Sequence, residues 1–198
     1  MKYIISLITS MAIACGIILC PLPGNADAVF AKKSTAQKKG PTTITIKQKD
    51  FTYTGQVVKG VPNGQGKIDG KINGVTFHFT GEFKNGAPYN GKGSMVGKVD
   101  GANINFSGEI KKGEPFAGTL KFQGMIDGDN MTFEGNMQNG QFYEGTLSGK
   151  TKEGLSINFK GKFKNNEPYN GRMIMDDKDG LHFETEVVNG EASVSLGE

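Results

Sequence analysis

The chain has no tryptophan, only two cysteines and two histidines in 198 residues, and a formal net charge of just +3. Each shortage closes off a class of chemistry. Cys15 and Cys20 both lie in the apolar stretch at the N-terminus. A mature chain without that stretch would hold no disulfide, no thiolate metal site and no cysteine nucleophile. The two histidines, His78 and His182, both fall on the polar phase of the first arms of the repeat. They are four repeats apart, too far along a ribbon to share a metal, and they read as surface residues from which no histidine relay can be drawn. So small a net charge creates no strong global field, and nucleic acid is not an expected partner.

Glycine is abundant instead. Its 30 residues are roughly twice the usual share, and without a strict three-residue period they point to many tight turns.

The N-terminus reads as an address. Lys2 precedes an uncharged apolar run from Tyr3 to Leu22, then Pro23-Gly24-Asn25 and Ala26-Asp27-Ala28. A basic start, an apolar core, a breaker and small residues two apart form a secretory signal over 1–28, with cleavage expected after Ala28 and Ala31 as second choice. Retention of the run as an anchor, or lipidation at Cys15, are the competing readings. All three place the rest of the chain outside the cytoplasm, whether periplasmic, secreted or envelope-associated. Residues 29–48 follow as a basic flexible linker without apolar pattern. Its Lys32, Lys33, Lys38 and Lys39 are candidates for contact with an anionic membrane surface.

From residue 49 to 198 the chain repeats with a period of 24 to 27 residues. One arm is plainest in Val75, Phe77, Phe79, Gly81 and Phe83, and returns as Ala102, Ile104, Phe106, Gly108 and Ile110. Further copies carry Phe51, Tyr53, Gly55 and Val57; Met131, Phe133, Gly135 and Met137; Leu155, Ile157, Phe159, Gly161 and Phe163; and Leu181, Phe183, Thr185 and Val187. Apolar residues at every second position mean a strand with one buried face, and no helical spacing competes. The second arm keeps the alternation with glycine in the apolar phase, as in Tyr89, Gly91, Gly93, Met95, Gly97 and Val99. Recurrent strand glycine in one register argues for close packing, with rings lying over bare backbone.

Turn residues complete the unit. Asn73-Gly74, Asp100-Gly101, Asp127-Gly128 and Asp179-Gly180 join second arms to first arms, and Lys59-Gly60, Asn85-Gly86, Lys112-Gly113, Asn139-Gly140, Asn165-Asn166 and Asn189-Gly190 make the other turn. Such dipeptides suit two-residue hairpin turns with positive φ at both positions. The expectation is an all-β fold: an extended, twisted antiparallel β-meander of six tandem hairpins and about a dozen strands. Thr185 in the glycine place, between Glu184 and Glu186, is expected to end the array with a polar cap.

The unit resembles a MORN repeat. Tyr53-Thr-Gly55-Gln-Val57-Val-Lys-Gly60-Val-Pro-Asn-Gly64-Gln-Gly66 follows that family's aromatic-and-glycine spacing, and Phe79-Thr-Gly81-Glu-Phe83-Lys-Asn-Gly86 follows it with one extra turn residue. The likeness spans about 49–195, with Phe mostly replacing the leading Tyr and Leu120, Leu147 and Met173 replacing the last Gly. It implies an extended sheet used for protein or membrane contact and carries no catalytic residues. The family's proposed lipid binding is not uniform.

Other chemistry has a plainer explanation at each point. Asp127-Gly128-Asp129 and Asp176 to Gly180 lack the alternating oxygen ligands of a calcium loop and read as turns. Glu82, Glu109, Glu134, Glu184 and Glu186, interleaved with Lys111, Lys160 and Lys162, read as mixed surface charge rather than a carboxylate pair. No cofactor or metal is expected. Tyr89, Phe116, Tyr143 and Tyr169 form a ladder after the turns, in phase with the buried face. They either pack the sheet against itself or offer a row of rings to a peptide, a glycan or a protein. A single sheet this long covers its apolar face only by curling or by meeting a partner. The expected function is a non-catalytic interaction or scaffold module at the cell envelope or outside the cell. An outer-membrane β-barrel and a membrane-surface module acting through the basic linker are the alternatives.

Overall fold

The computed structural model describes residues 42–126 and 128–192. The stretch read as a secretory signal, 1–28, and the basic strip with Lys32, Lys33, Lys38 and Lys39 lie outside the described residues. The described chain forms one antiparallel sheet whose strand order is its sequence order. Its strands are β1 Thr42–Lys47, β2 Phe51–Val58, β3 Val61–Ile72, β4 Val75–Lys84, β5 Ala87–Val99, β6 Ala102–Lys111 and β7 Glu114–Ile126. They continue as β8 Asp129–Gln138, β9 Gln141–Lys150, β10 Ser156–Lys164, β11 Glu167–Asp176, β12 His182–Val188 and the stub β13 Glu191–Ala192. The sheet is open, since β1 and β13 do not pair with each other.

The meander is therefore one strand longer than the repeat. β1 falls inside the stretch assigned to the linker, and pairs Ile44 with Gly55 and Ile46 with Tyr53. Its two isoleucines are half-buried against the core. One apolar alternation, in a segment otherwise of threonine and lysine, is enough for a strand when a neighbour supplies the template.

The turns follow their dipeptides. Asn73, Asp100, Lys59, Asn85, Lys112, Asn139 and Asn189 all have φ between 46° and 55°, and each precedes a glycine of positive φ. Asn165 and Asn166 share this geometry with φ of 53° and 63°, so asparagine does stand in for glycine there. Asp179-Gly180 is different. It belongs to a five-residue connection in which Asp177 Oδ1 accepts hydrogen bonds from the Asp179 and Leu181 amides, both at 2.8 Å. A matching loop joins β9 to β10, where Thr151 Oγ1 accepts from the Leu155 amide at 3.1 Å. The acidic run from Asp176 thus serves its own backbone.

Glycines line up across the sheet. Gly55, Gly66, Gly81 and Gly91 are register partners on β2 to β5, and Gly135, Gly145, Gly161 and Gly171 repeat the row on β8 to β11. Gly93, Gly108 and Gly118 form a third row. Some large residues face glycine as expected, such as Phe79 opposite Gly93. The continuous glycine rows are an addition to that picture. The aromatic two residues earlier folds over them: a Cβ placed on Gly135 or Gly161 would meet Cζ of Phe133 or Phe159 at 2.9 Å.

Rings of one unit are then covered by the next. Phe83 stands edge-on to Tyr53 at 4.8 Å and to Phe79 at 5.2 Å. Phe163 does the same for Phe133 at 5.5 Å and Phe159 at 5.1 Å. Such edge-to-face pairs add about 1 kcal/mol each beyond the area they bury. Neighbouring units replace a second layer, which requires the sheet to bend toward this face. The last copy departs from the cap expected of it. Thr185 is buried, but Leu181 and Phe183 are exposed.

Tyr53 is wholly buried, and its hydroxyl donates to the Gln56 carbonyl at 2.7 Å. Burial pushes its pKa up to about 12. The unfolded chain ionises this group near pH ~10, so its contribution is fully present below that and is lost as pH rises through the folded value. Tyr53→Phe should be less stable by about 1 kcal/mol at pH 9, through the lost hydrogen bond. Wild type should then lose about 1 kcal/mol more than the variant between pH 9 and 11, closing the gap. Denaturant melts at the two pH values decide it, and a constant gap would contradict the buried ionisation.

Candidate interaction surface

The sequence ladder sits on a repeated irregularity. Opposite Glu82 and Phe83 of β4, strand β5 supplies Asn90 and Pro88, so Tyr89 is an extra residue without a register partner. Phe116 is the extra residue between Pro115 and Ala117 on β7, Tyr143 between Phe142 and Glu144 on β9, and Tyr169 between Pro168 and Asn170 on β11. All four are β-bulges, which break the alternation that had assigned the rings to the buried face. None of the four joins the core. Tyr89, Phe116 and Tyr169 are half-buried, and Tyr143 is 42% exposed. Pro88, Pro115 and Pro168, or Phe142 in the fourth unit, take the inward place beside the turn.

The bulge carbonyls do not go unused. The amides of Gly113, Gly140 and Gly190, each in the next unit's turn, donate to the carbonyls of Tyr89, Phe116 and Tyr169 at 2.8 Å. Asn90 Oδ1 accepts the Lys112 amide at 3.0 Å, and Asn170 Oδ1 accepts the Asn189 amide at 2.8 Å. Successive units are thus tied along the rim where the rings stand. Two strands per unit set those rings about 10 Å apart.

Lysine completes the motif. The ammonium groups of Lys84, Lys111 and Lys164 lie over the rings of Tyr89, Phe116 and Tyr169, at 4.7, 4.5 and 4.7 Å from their centroids. A cation over a ring is worth about 0.5–1 kcal/mol at an exposed site. In the fourth unit Gln138 takes the place of the lysine, and no ammonium group among the described residues lies over Tyr143. The pattern of a lysine five residues before three of the four rings was present in the sequence. Its meaning depended on the bulge.

The chain matches no family model and no curated protein. Its function must be argued from this surface and from what the rest of the molecule holds.

Several of the other polar side chains are engaged locally. Glu82 accepts a hydrogen bond from Asn90 at 2.8 Å, Glu134 pairs with Lys121 at 2.9 Å, and Glu184 pairs with Arg172. That pairing also holds the Glu184 carboxyl below its usual range. Asp129 is buried and accepts the Lys152 amide at 2.9 Å, pinning the 151–155 loop. Both histidines face an aspartate across a strand pair, His78 to Asp69 at 2.7 Å and His182 to Asp176 at 2.6 Å. Desolvation raises the Asp69 pKa, but the bonds from His78 and Lys67 outweigh it and hold the carboxyl below its ordinary value.

A shallow hollow of about 540 Å³ is lined by His78, Lys92, Ser94, Ser107 and Glu109 among others. Ser94 is the register partner of His78, yet among the described residues no hydrogen bond joins the two. Among the described residues no three His, Cys, Asp or Glu side chains converge as metal ligands.

Proposed function

We propose that this protein is a non-catalytic, exported, MORN-like repeat module that binds a protein or an envelope surface outside the cytoplasm. The observation that carries the reading is the rim. One bulge, repeated in four successive units, brings Tyr89, Phe116, Tyr143 and Tyr169 out of the core, three of them beneath a lysine ammonium group. Repeat ribbons bind through such distributed faces and need no single special residue. Aromatic residues, tyrosine and phenylalanine among them, are enriched in protein interfaces. The MORN-like reading rests on the aromatic-and-glycine spacing and agrees with a sheet of consecutive hairpins. The export reading rests on the N-terminal pattern alone. An open sheet with its rings on an inward face favours a ribbon over an outer-membrane barrel. A contact of Lys32, Lys33, Lys38 and Lys39 with an anionic surface can accompany the rim.

The test is capture from the host's envelope fraction with the wild-type chain and with a variant in which Tyr89, Phe116, Tyr143 and Tyr169 are all serine. The bulge ties are backbone bonds, so the variant should keep its strand signal. Loss of at least tenfold in the captured partner supports the rim. Equal capture by a folded variant would sink it. Capture lost only at raised ionic strength in both proteins would shift the contact to the basic linker.

A further inference from the structure

The hollow beside His78 lies on the outward face, next to the rim that carries the rings. Its serines, Ser94 and Ser107, alternate along β5 and β6 with the buried Met95 and Phe106. The floor is small: these two serines, Ala117 and bare glycine backbone. The longer His78, Lys92 and Glu109 stand around it. That step in side-chain size makes a depression of about 540 Å³, within the range of small-ligand sites.

The polar groups here are not spent on the protein. Ser94 faces Ser107 and Lys92 faces Glu109 across β5 and β6. Among the described residues, none of these four side chains makes a hydrogen bond or an ion pair. His78 is fixed from β3 by Asp69 at 2.7 Å. The mixture of signs continues along the rim. Lys111 stands opposite Glu114 and Lys164 opposite Glu167 across their turns, and Lys162 stands opposite Glu144. Cation and anion are matched along this surface, so its field draws in neither a polyanion nor an anionic bilayer.

An uncharged ligand that both gives and takes hydrogen bonds fits such a surface. A hydroxyl group does both, and the C–H face of a pyranose stacks on an aromatic ring. Rings stand beside the hollow: Phe116 directly precedes Ala117 on β7, and Tyr89 lies three residues before Lys92 on β5. Their pitch selects among sugars. In an extended β-1,4-linked chain each sugar is turned over relative to the one before. The same sugar face therefore returns at every second residue, close to the ring spacing of about 10 Å. An α-1,4-linked chain coils away from such a line.

Granted that the rim is the binding surface, we propose that the hollow and its neighbouring rings bind a neutral β-1,4-linked glycan, one disaccharide to each repeat unit. This glycan is the part of the envelope surface that the ribbon recognises. Rings hold the sugar faces, and the free serine, lysine and glutamate groups hold the hydroxyls.

Calorimetric titration of the full chain with the β-1,4-linked hexamer of N-acetylglucosamine tests this. The hexamer spans three units and should bind at least tenfold more tightly than the dimer, which spans one. Maltohexaose, α-linked and of equal length, should bind at least tenfold more weakly than the hexamer. Ser107→Ile fills the floor of the hollow at an exposed position where a β-branched residue suits the strand, and should cost about tenfold in affinity. Lys92→Ala removes a side chain with no partner in the protein and should cost severalfold, which keeps the test open if isoleucine disturbs β6. Equal binding of maltohexaose, or full affinity in both variants, would overturn the proposal. No binding of the hexamer, while envelope capture still depends on the four rings, would remove the glycan and leave the rim. Hexamer binding and envelope capture that both survive replacement of the four rings by serine would sink the rim reading as well.

Discussion

Gly108→Val is expected to destabilise the protein by about 3 kcal/mol, a fall in Tm of about 6–12 °C, while Ser107→Val leaves Tm within about 2 °C. The two residues are neighbours on β6 but point to opposite sides. A Cβ at Gly108 would lie 2.0 Å from the Ala117 carbonyl oxygen and 2.7 Å from the Gly118 Cα. Both are backbone atoms of the paired strand, so no rotamer change can make room. The strand pair must separate or lose its register, and β6 sits near the middle of the sheet, where every unit depends on its neighbours. Ser107 is exposed, and valine there suits a strand. Thermal melts of the two variants at equal concentration decide the matter. Equal melting points would mean that the glycine row is not a close backbone contact.

That prediction rests on a facing assignment readable from the sequence, and the way it was readable shows where such reading stops. Alternation placed Phe106 and Gly108 on one side and Ser107 on the other without any structure. The two-residue turns were equally plain, because Asn-Gly and Asp-Gly answer a local backbone requirement. What stayed hidden depends on the partner strand. A bulge adds one residue to one strand, and Tyr89 read alone continues the period of Gly91 and Gly93. Only the pairing of Asn90 with Glu82 and Pro88 with Phe83 reveals the extra residue. The five-residue loop at Asp177 was hidden by its Asp179-Gly180 pair, which looks like the other turns. Its geometry is set by a side-chain acceptor two residues earlier. β1 escaped because Ile44 and Ile46 are too few to establish a period, and their burial comes from β2. The candidate surface was half legible: its aromatic members could be named, whereas their exposure and their lysines could not.

Phe133→Ala is expected to lower stability by about 3–5 kcal/mol, and Phe183→Ala, the same change four strands later, by about 1 kcal/mol. Chemistry and strand position are alike, so the difference isolates the cover supplied by neighbouring units. Phe133 is wholly buried. It stacks on Phe142 at 3.8 Å with an interplanar angle of 9°, and meets the edge of Phe163 at 5.5 Å. Below it lie Gly135 and Gly145, which have no side chains that could relax into the space. The cavity therefore persists, which puts the loss toward the upper part of the range. Among the described residues Phe183 has no ring partner of this kind, and it already meets water over 40% of its surface. Chemical denaturation of the two variants measures both. Similar losses at the two sites would mean that the rings are held by their own hairpins. A large loss at Phe133 alone would establish that the ribbon is stabilised from one unit to the next, leaving the final ring as the place where that chain of support ends.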